Sequence, residues 1–154
     1  IGTSFKMFLP FGIFDHQKIT NKQGEFSSTV NQRQAHLLIA EDNVINQQLI
    51  KHFLAHHNFS FVIVSNGNQV IEKLKEEKFD LVLMDVQMPE MDGFETIRWI
   101  RQLPEFQSLP IIALTAKAMK NDRKECIDAG ASDYISKPVD IDQLVSLLRV
   151  WLYP

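Results

Sequence analysis

Short apolar runs and amphipathic stretches alternate five times from His36 to the end of the chain, the order that a parallel sheet with crossover helices requires. The first run is residues 36–40. Behind it Ile45, Leu49, Ile50, Phe53 and Leu54 recur at helical spacing and predict a helix over 43–57. Residues 61–64 predict the second strand, and 66–78 a helix carrying Val70, Ile71 and Leu74. The run 80–84 is the most continuously apolar, as expected of a strand covered on both faces. A helix over 93–103, closed by Pro104, precedes a strand over 110–114. Between 119 and 129 the stretch 120–125 is entirely polar and leaves chiefly Cys126 and Ile127 to bury, so this helix is expected to be loosely held, with Gly130 as its stop. The last strand is 133–136. Asp140 then caps a helix whose Ile141, Leu144, Val145, Leu148 and Trp151 form an apolar stripe.

Residues 1–35 differ in kind. Phe5, Met7 and Leu9 share one face of an extended segment with nothing nearby to pair with, and 12–34 is rich in Asn, Gln, Ser, Thr and Lys, as a linker is. A chain of 154 residues suits one domain plus a short appendage. Its 16 basic and 19 acidic side chains leave a net charge of −3, and without a dense Lys/Arg block this argues against nucleic-acid binding. A single cysteine, Cys126, excludes an internal disulfide and reads as a small buried thiol. The apolar opening is broken by Lys6, Pro10 and Gly12 and is too short to span a membrane. A cytoplasmic location is expected, with no membrane contact by this stretch. The absence of an initial Met suggests a fragment, whose parent could carry membrane helices elsewhere.

Ligands of an open parallel sheet collect at the carboxyl ends of its strands, so the residues that follow each run carry the chemistry. Glu41 and Asp42 follow the first strand, Asp85 ends the third, Thr115 ends the fourth and Lys137 follows the fifth. Taken singly, Asp85 reads as a helix cap, Glu41 and Asp42 as a capping pair, and Lys137 as a surface charge. Their joint placement on one rim favours a site. Three carboxylates at separations of ~4 to 6 Å repel one another by several kcal/mol at an effective dielectric of about 20 unless a cation intervenes. All the candidate ligands are oxygens, so a hard ion, Mg2+ or Mn2+, is expected. Such an ion, Lys137 and the Thr115 hydroxyl are what phosphoryl transfer needs, since that chemistry is mostly positioning and charge neutralisation.

These segments resemble the receiver domains of response regulators, specifically those fused to hybrid histidine kinases. The resemblance covers about 35 to 153 and rests on Ile39-Ala40-Glu41-Asp42-Asn43 with Asn46, on Leu83-Met84-Asp85-Val86-Gln87-Met88-Pro89-Glu90-Met91-Asp92-Gly93, on Ala113-Leu114-Thr115-Ala116, and on Asp133-Tyr134-Ile135-Ser136-Lys137-Pro138. It implies a flavodoxin-like, doubly wound α/β fold of five parallel strands in the order 2-1-3-4-5, an order carried over from the family. It also implies that Asp85 accepts a phosphoryl group from phosphohistidine, with Thr115 and Lys137 binding phosphoryl oxygens. Asp42 would bind Mg2+ directly, Glu41 through water, and the Gln87 main-chain carbonyl would be a further ligand. Inward movement of Thr115 and Lys137 would draw Tyr134 along and alter the surface of the fourth helix, fifth strand and fifth helix. Asn43, Asn46 and Pro138 are the candidates for docking a kinase phosphodonor domain or a histidine phosphotransfer protein. On this reading the chain catalyses its own aspartyl phosphorylation and dephosphorylation, within a parent histidine kinase.

The opening from Gly2 to Phe11 further resembles the end of a histidine kinase ATP-binding domain. The implied organisation is a kinase remnant over 1–11, a linker over 12–34 and a receiver over 35–154. Gln87 and Lys117, two residues after Asp85 and Thr115, point to slow or moderate self-dephosphorylation. His52 and His56 share a helical face but lack an acidic neighbour, so with His57 they read as solvated residues rather than metal ligands. Trp99 lies off its helix's apolar stripe and reads as an ordinary, partly exposed aromatic. Two rival readings remain. An interaction domain of the same fold without phosphorylation would not need the full set Glu41, Asp42, Asp85, Thr115 and Lys137; a phosphohydrolase with an aspartyl-phosphate intermediate usually wants an acid where Gln87 stands.

Overall fold

The computed structural model describes residues 33–116 and 120–154. The expected kinase remnant, nearly all of the expected linker, and Lys117 lie outside the described residues. Five strands, β1 His36–Ala40, β2 Ser60–Val64, β3 Leu81–Asp85, β4 Ile111–Thr115 and β5 Asp133–Ser136, form one parallel sheet in the order β2-β1-β3-β4-β5. The helices α1 Val44–His56, α2 Gly67–Glu76, α3 Gly93–Gln102, α4 Lys120–Ala129 and α5 Ile141–Leu152 alternate with them. This is the expected doubly wound fold.

The side-chain period of a strand sorts the core into two layers. Leu37, Ile39, Leu81, Leu83, Ile112, Leu114 and Ile135 pack with α1 and α5 on one face; Leu38, Ala40, Val82, Met84 and Ala113 pack with α2, α3 and α4 on the other. Every residue of β3 and β4 is buried, which is why those runs read as continuously apolar.

Local chemistry sets the helix starts. The Asn43 side chain accepts the Ile45 and Asn46 N–H groups, Asn66 accepts that of Gln69, and Asp140 that of Gln143. At α3 the Asp92 carboxylate takes the Glu95 N–H while the Glu95 side chain takes the Asp92 N–H, a reciprocal cap. Gly130 stops α4 at a φ of +113°, a conformation that glycine adopts without steric cost.

Three parts of the helical pattern differ from expectation. In α1 the core takes Ile50, Phe53 and Leu54, whereas Ile45 and Leu49 are 72% and 63% exposed. A five-position stripe is wider than the strip of helix that one sheet face covers. In α4 the buried residues are Cys126 and Ala129, while Ile127 faces outward. In α5 Leu144 and Leu148 are buried and Ile141 is exposed beside α1. Trp99 is half-buried against the α2–α4 core layer, with the Lys75 ammonium 5.7 Å from its ring centre.

Candidate functional site

The carboxyl edge of the sheet gathers the charges. Asp85 is the last residue of β3 and is 2% exposed; Glu41, one step beyond β1, is fully buried. Neighbouring parallel strands put these chain ends side by side, since β1 and β3 pair in register up to Ala40 and Met84. Thr115 ends β4 and is buried, and its carbonyl accepts the Lys137 N–H at 2.7 Å, which fixes the point where the chain leaves β5.

From there the Lys137 ammonium donates to Asp85 Oδ2 at 2.8 Å and lies 2.9 Å from Glu41 Oε2. The second contact is an ion pair without hydrogen-bond alignment, so Glu41 Oε2 is buried with no donor aimed at it. The other oxygens are held by the backbone. Asp85 Oδ1 accepts the Gln87 N–H at 3.0 Å, and Glu41 Oε1 accepts the Asn43 N–H at 3.1 Å. Asp42 is exposed, and one carboxylate oxygen from each of Glu41, Asp42 and Asp85 lies within 4.8 Å of the others.

The titration of the site follows from this crowding. Burial pushes the Asp85 carboxyl up to about 6, against the pull of Lys137 and the Gln87 N–H and with help from the Glu41 charge. At Glu41 burial acts in the same direction, but the Lys137 ammonium and the Asn43 N–H outweigh it and hold the carboxyl below its ordinary value. Burial would lower Lys137, yet its two carboxylate partners raise it. One ammonium thus faces two buried carboxylates and a third nearby, leaving an excess of negative charge.

A hard divalent cation fits that excess. The donor set is all oxygen, Glu41 Oε2 lacks a hydrogen bond, and Asp42 opens to solvent. Among the described residues this is the one group of three or more acidic, histidine or cysteine side chains close enough to share an ion.

A family model described as the response regulator receiver domain matches residues 37–149. The chain belongs to that family. Over 112 residues the receiver is 39% identical to the signal transduction histidine-protein kinase BarA of Escherichia coli (strain K12), a match covering 73% of this chain and 12% of BarA. The chain therefore spans a small part of that relative's length. Among solved structures it is similar to the receiver domain of the sensor histidine kinase PA1611 from Pseudomonas aeruginosa PAO1, described with a magnesium ion coordinated in the active-site cleft. That likeness has a TM-score of 0.74 and 34% identity and covers 79% of this chain and all of that one. A second similar structure is the complex of the Saccharomyces cerevisiae histidine phosphotransfer protein Ypd1 with the receiver domain of Ssk1, with TM-score 0.72, 31% identity, 77% of this chain and 88% of that one.

The remaining sequence candidates lie around this edge of the receiver. Gln87 is exposed on the loop after Asp85, and Tyr134 is half-buried in β5 with the Arg123 guanidinium 5.7 Å from its ring centre. Asn43 serves as the α1 cap. Asn46 and Pro138 line a groove of about 520 Å³ between α1 and α5, with Leu49, Ile50, Phe53 and Ile141 among its apolar walls and His52, His56 and His57 also on it. No helix among the described residues is long and apolar enough to cross a membrane.

Two contributors escaped the sequence reading. Gly93 packs so closely under β3 that a Cβ there would run into the Asp85 carbonyl oxygen and the Val86 Cα, so α3 abuts the strand end only because this residue lacks a side chain. A glycine directly after a capping Asp was the available signal. Gln47 donates from Nε2 to the Glu41 main-chain carbonyl at 2.6 Å. An amide on a helix face carries no sequence signal for such a contact.

Proposed function

We propose that this receiver is the phosphoacceptor of a phosphorelay, with Asp85 taking a phosphoryl group from phosphohistidine. The observation that carries the reading is the setting of Asp85: buried at a strand end, held at one oxygen by the Gln87 N–H and at the other by Lys137, with carboxylate oxygens of Glu41 and Asp42 within 4.8 Å.

In the proposed step a carboxylate oxygen of Asp85 bonds to phosphorus as the P–N bond of phosphohistidine breaks, and the electron pair of that bond returns to the ring nitrogen. Lys137 transfers its hydrogen bonding from Asp85 to a phosphoryl oxygen, and the Thr115 hydroxyl takes another. Glu41, Asp42, Asp85 and the Gln87 main-chain carbonyl are the proposed ligands of Mg2+ or Mn2+. That ion supplies charge neutralisation of the phosphoryl oxygens. Tyr134 and Thr115 form the proposed switch, coupled to α4, which buries only Cys126 and Ala129 and so costs little to move.

The proposed partners are a histidine kinase phosphodonor domain and a histidine phosphotransfer protein, as the Ypd1–Ssk1 complex illustrates for a similar receiver. Asn43, Asn46 and Pro138 border the apolar face left by Val44, Ile45 and Leu49 on α1, which is suited to docking such a partner beside Asp85. The parent is proposed to be a hybrid kinase acting in the cytoplasm. A mild net charge of −3 supports a role without nucleic acid.

The test is incubation with acetyl phosphate and Mg2+, read by intact mass, on the wild type and Asp85→Asn. Addition of one phosphoryl group to the wild type alone is expected. No addition, or addition that survives the substitution, sinks the reading. Beryllofluoride with Mg2+, followed by NMR, provides the same comparison without turnover.

A further inference from the structure

Two adjacent acids at the end of β1 are fixed by different means. Glu41 is gripped through its side chain, by the Asn43 N–H at Oε1 and Lys137 beside Oε2. Asp42 is exposed, and its carboxylate has no hydrogen bond or ion pair with any described residue. Where that carboxylate can reach therefore depends on where the main chain places it. The Glu41 carbonyl and the Asp42 N–H belong to one planar peptide unit, so whatever holds that oxygen fixes the plane from which Asp42 projects.

Gln47, one turn into α1, holds it. Its Nε2 donates to the Glu41 carbonyl at 2.6 Å and lies 3.4 Å from Ser65 Oγ, on the loop after β2. The Ser65 N–H is in turn taken by Gln69 Oε1 at 2.7 Å. A single carboxamide thus clamps the peptide before Asp42 to α1 and to the neighbouring loop.

We propose that Gln47 is a positioning residue for the divalent ion: by clamping the Glu41–Asp42 peptide it holds the backbone from which the Asp42 carboxylate reaches toward those of Glu41 and Asp85. The inference rests on the metal reading above. Gln47 does not touch the ion; it removes a rotation that Asp42 would have to lose on binding. Outer contacts that orient ligands in this way commonly change metal affinity by about tenfold or more.

The experiment is a Mg2+ titration of the full chain, followed by amide NMR shifts, for wild type, Gln47→Met, Gln47→Arg and Gln69→Met. Met keeps the length of Gln47 and loses the donor; Arg keeps a donor; Gln69→Met releases Ser65 but leaves the Glu41 carbonyl clamped. Expected are roughly tenfold weaker Mg2+ binding in Gln47→Met, with the metal-free spectrum changed mainly around Glu41 and Asp42. In Gln47→Arg the metal-free spectrum around Glu41 and Asp42 is expected to return toward that of the wild type, although the added charge itself weakens Mg2+ binding. Affinity near wild type is expected in Gln69→Met. Unchanged affinity in Gln47→Met overturns the proposal, as does an equal loss in Gln69→Met, which would mark a general loosening of the loops. A wild type that binds no Mg2+ instead overturns the metal reading itself.

Discussion

The two edges of the β-sheet carry similar residue types but differ in how fully their polar groups and charges are matched. At the amino edge the polar groups are matched. The His36 ring nitrogens meet Ser60 Oγ at 2.7 Å and Glu77 Oε2 at 2.8 Å, the ring stacks on Phe79 at 4.7 Å, and the His36 N–H is taken by Asp80 at 2.8 Å. Arg101 donates to the carbonyls of Gly130, Phe106 and Gln107 and to Ser132 Oγ, tying α3 to the entries of β4 and β5. At the carboxyl edge two buried carboxylates share one ammonium with a third, exposed carboxylate close by, and Glu41 Oε2 has no hydrogen bond. The matched edge stabilises the fold, whereas the surplus charge at the other edge, where the proposed nucleophile and cation site lie, comes at the expense of stability.

This contrast makes distinct predictions, each read by urea unfolding with and without Mg2+. The largest effect belongs to Lys137→Met, which leaves Asp85 and Glu41 without their cation and is expected to cost about 3 kcal/mol at pH 7.5 in the absence of metal, with a substantial part recovered by Mg2+. Loss of stability that Mg2+ does not relieve would break the link between surplus charge and ion binding.

Arg101→Met orphans carbonyls at the matched edge and is expected to cost roughly 2 to 3 kcal/mol, with Mg2+ affinity unchanged. A shifted Mg2+ affinity would mean that the two edges are coupled.

Asp85→Asn acts in the opposite direction. Because the folded protein raises this carboxyl from an ordinary 3.8 to about 6, it holds the proton more tightly than the unfolded chain. The stability this group contributes is full below the unfolded value and is lost as pH rises through the folded one. Removing the charge should therefore stabilise the metal-free protein on the order of 2 kcal/mol at pH 7.5, with the gain vanishing below about pH 4 and no stabilisation by Mg2+. A variant no more stable than wild type at pH 7.5 would show that Lys137 fully offsets the burial.

The smallest effect is expected of His36→Phe, which keeps a ring to stack on Phe79 and loses the bonds to Ser60 and Glu77: about 1 kcal/mol, without change in Mg2+ affinity. A loss that grew or vanished with Mg2+ would contradict the separation of the edges.

Most of the fold was legible because its signals are local and periodic. The buried runs of β3 and β4, the cap at Asp140 and the stop at Gly130 each follow from residues within one turn or one strand. The rim residues were legible for a related reason, since a parallel sheet sends every strand end to the same edge, and position after an apolar run was enough to collect Glu41, Asp42, Asp85, Thr115 and Lys137. The stripe of α1 was not. Ile45 and Leu49 lie at the same helical spacing as Ile50 and Phe53, and which of them meets the sheet depends on the rotation of the helix about its axis.

The sequence by itself thus determined the order of elements, the family and the membership of the acidic rim, because each is written in residue type and spacing along the chain. Only the tertiary structure decided that Lys137 stands between Asp85 and Glu41, that Gly93 brings α3 against the end of β3, and that Gln47 reaches back to the Glu41 carbonyl. Those contacts join residues whose separation in sequence bears no fixed relation to their separation in space, and their energies arise from burial and mutual distance, which exist only once the sheet has formed.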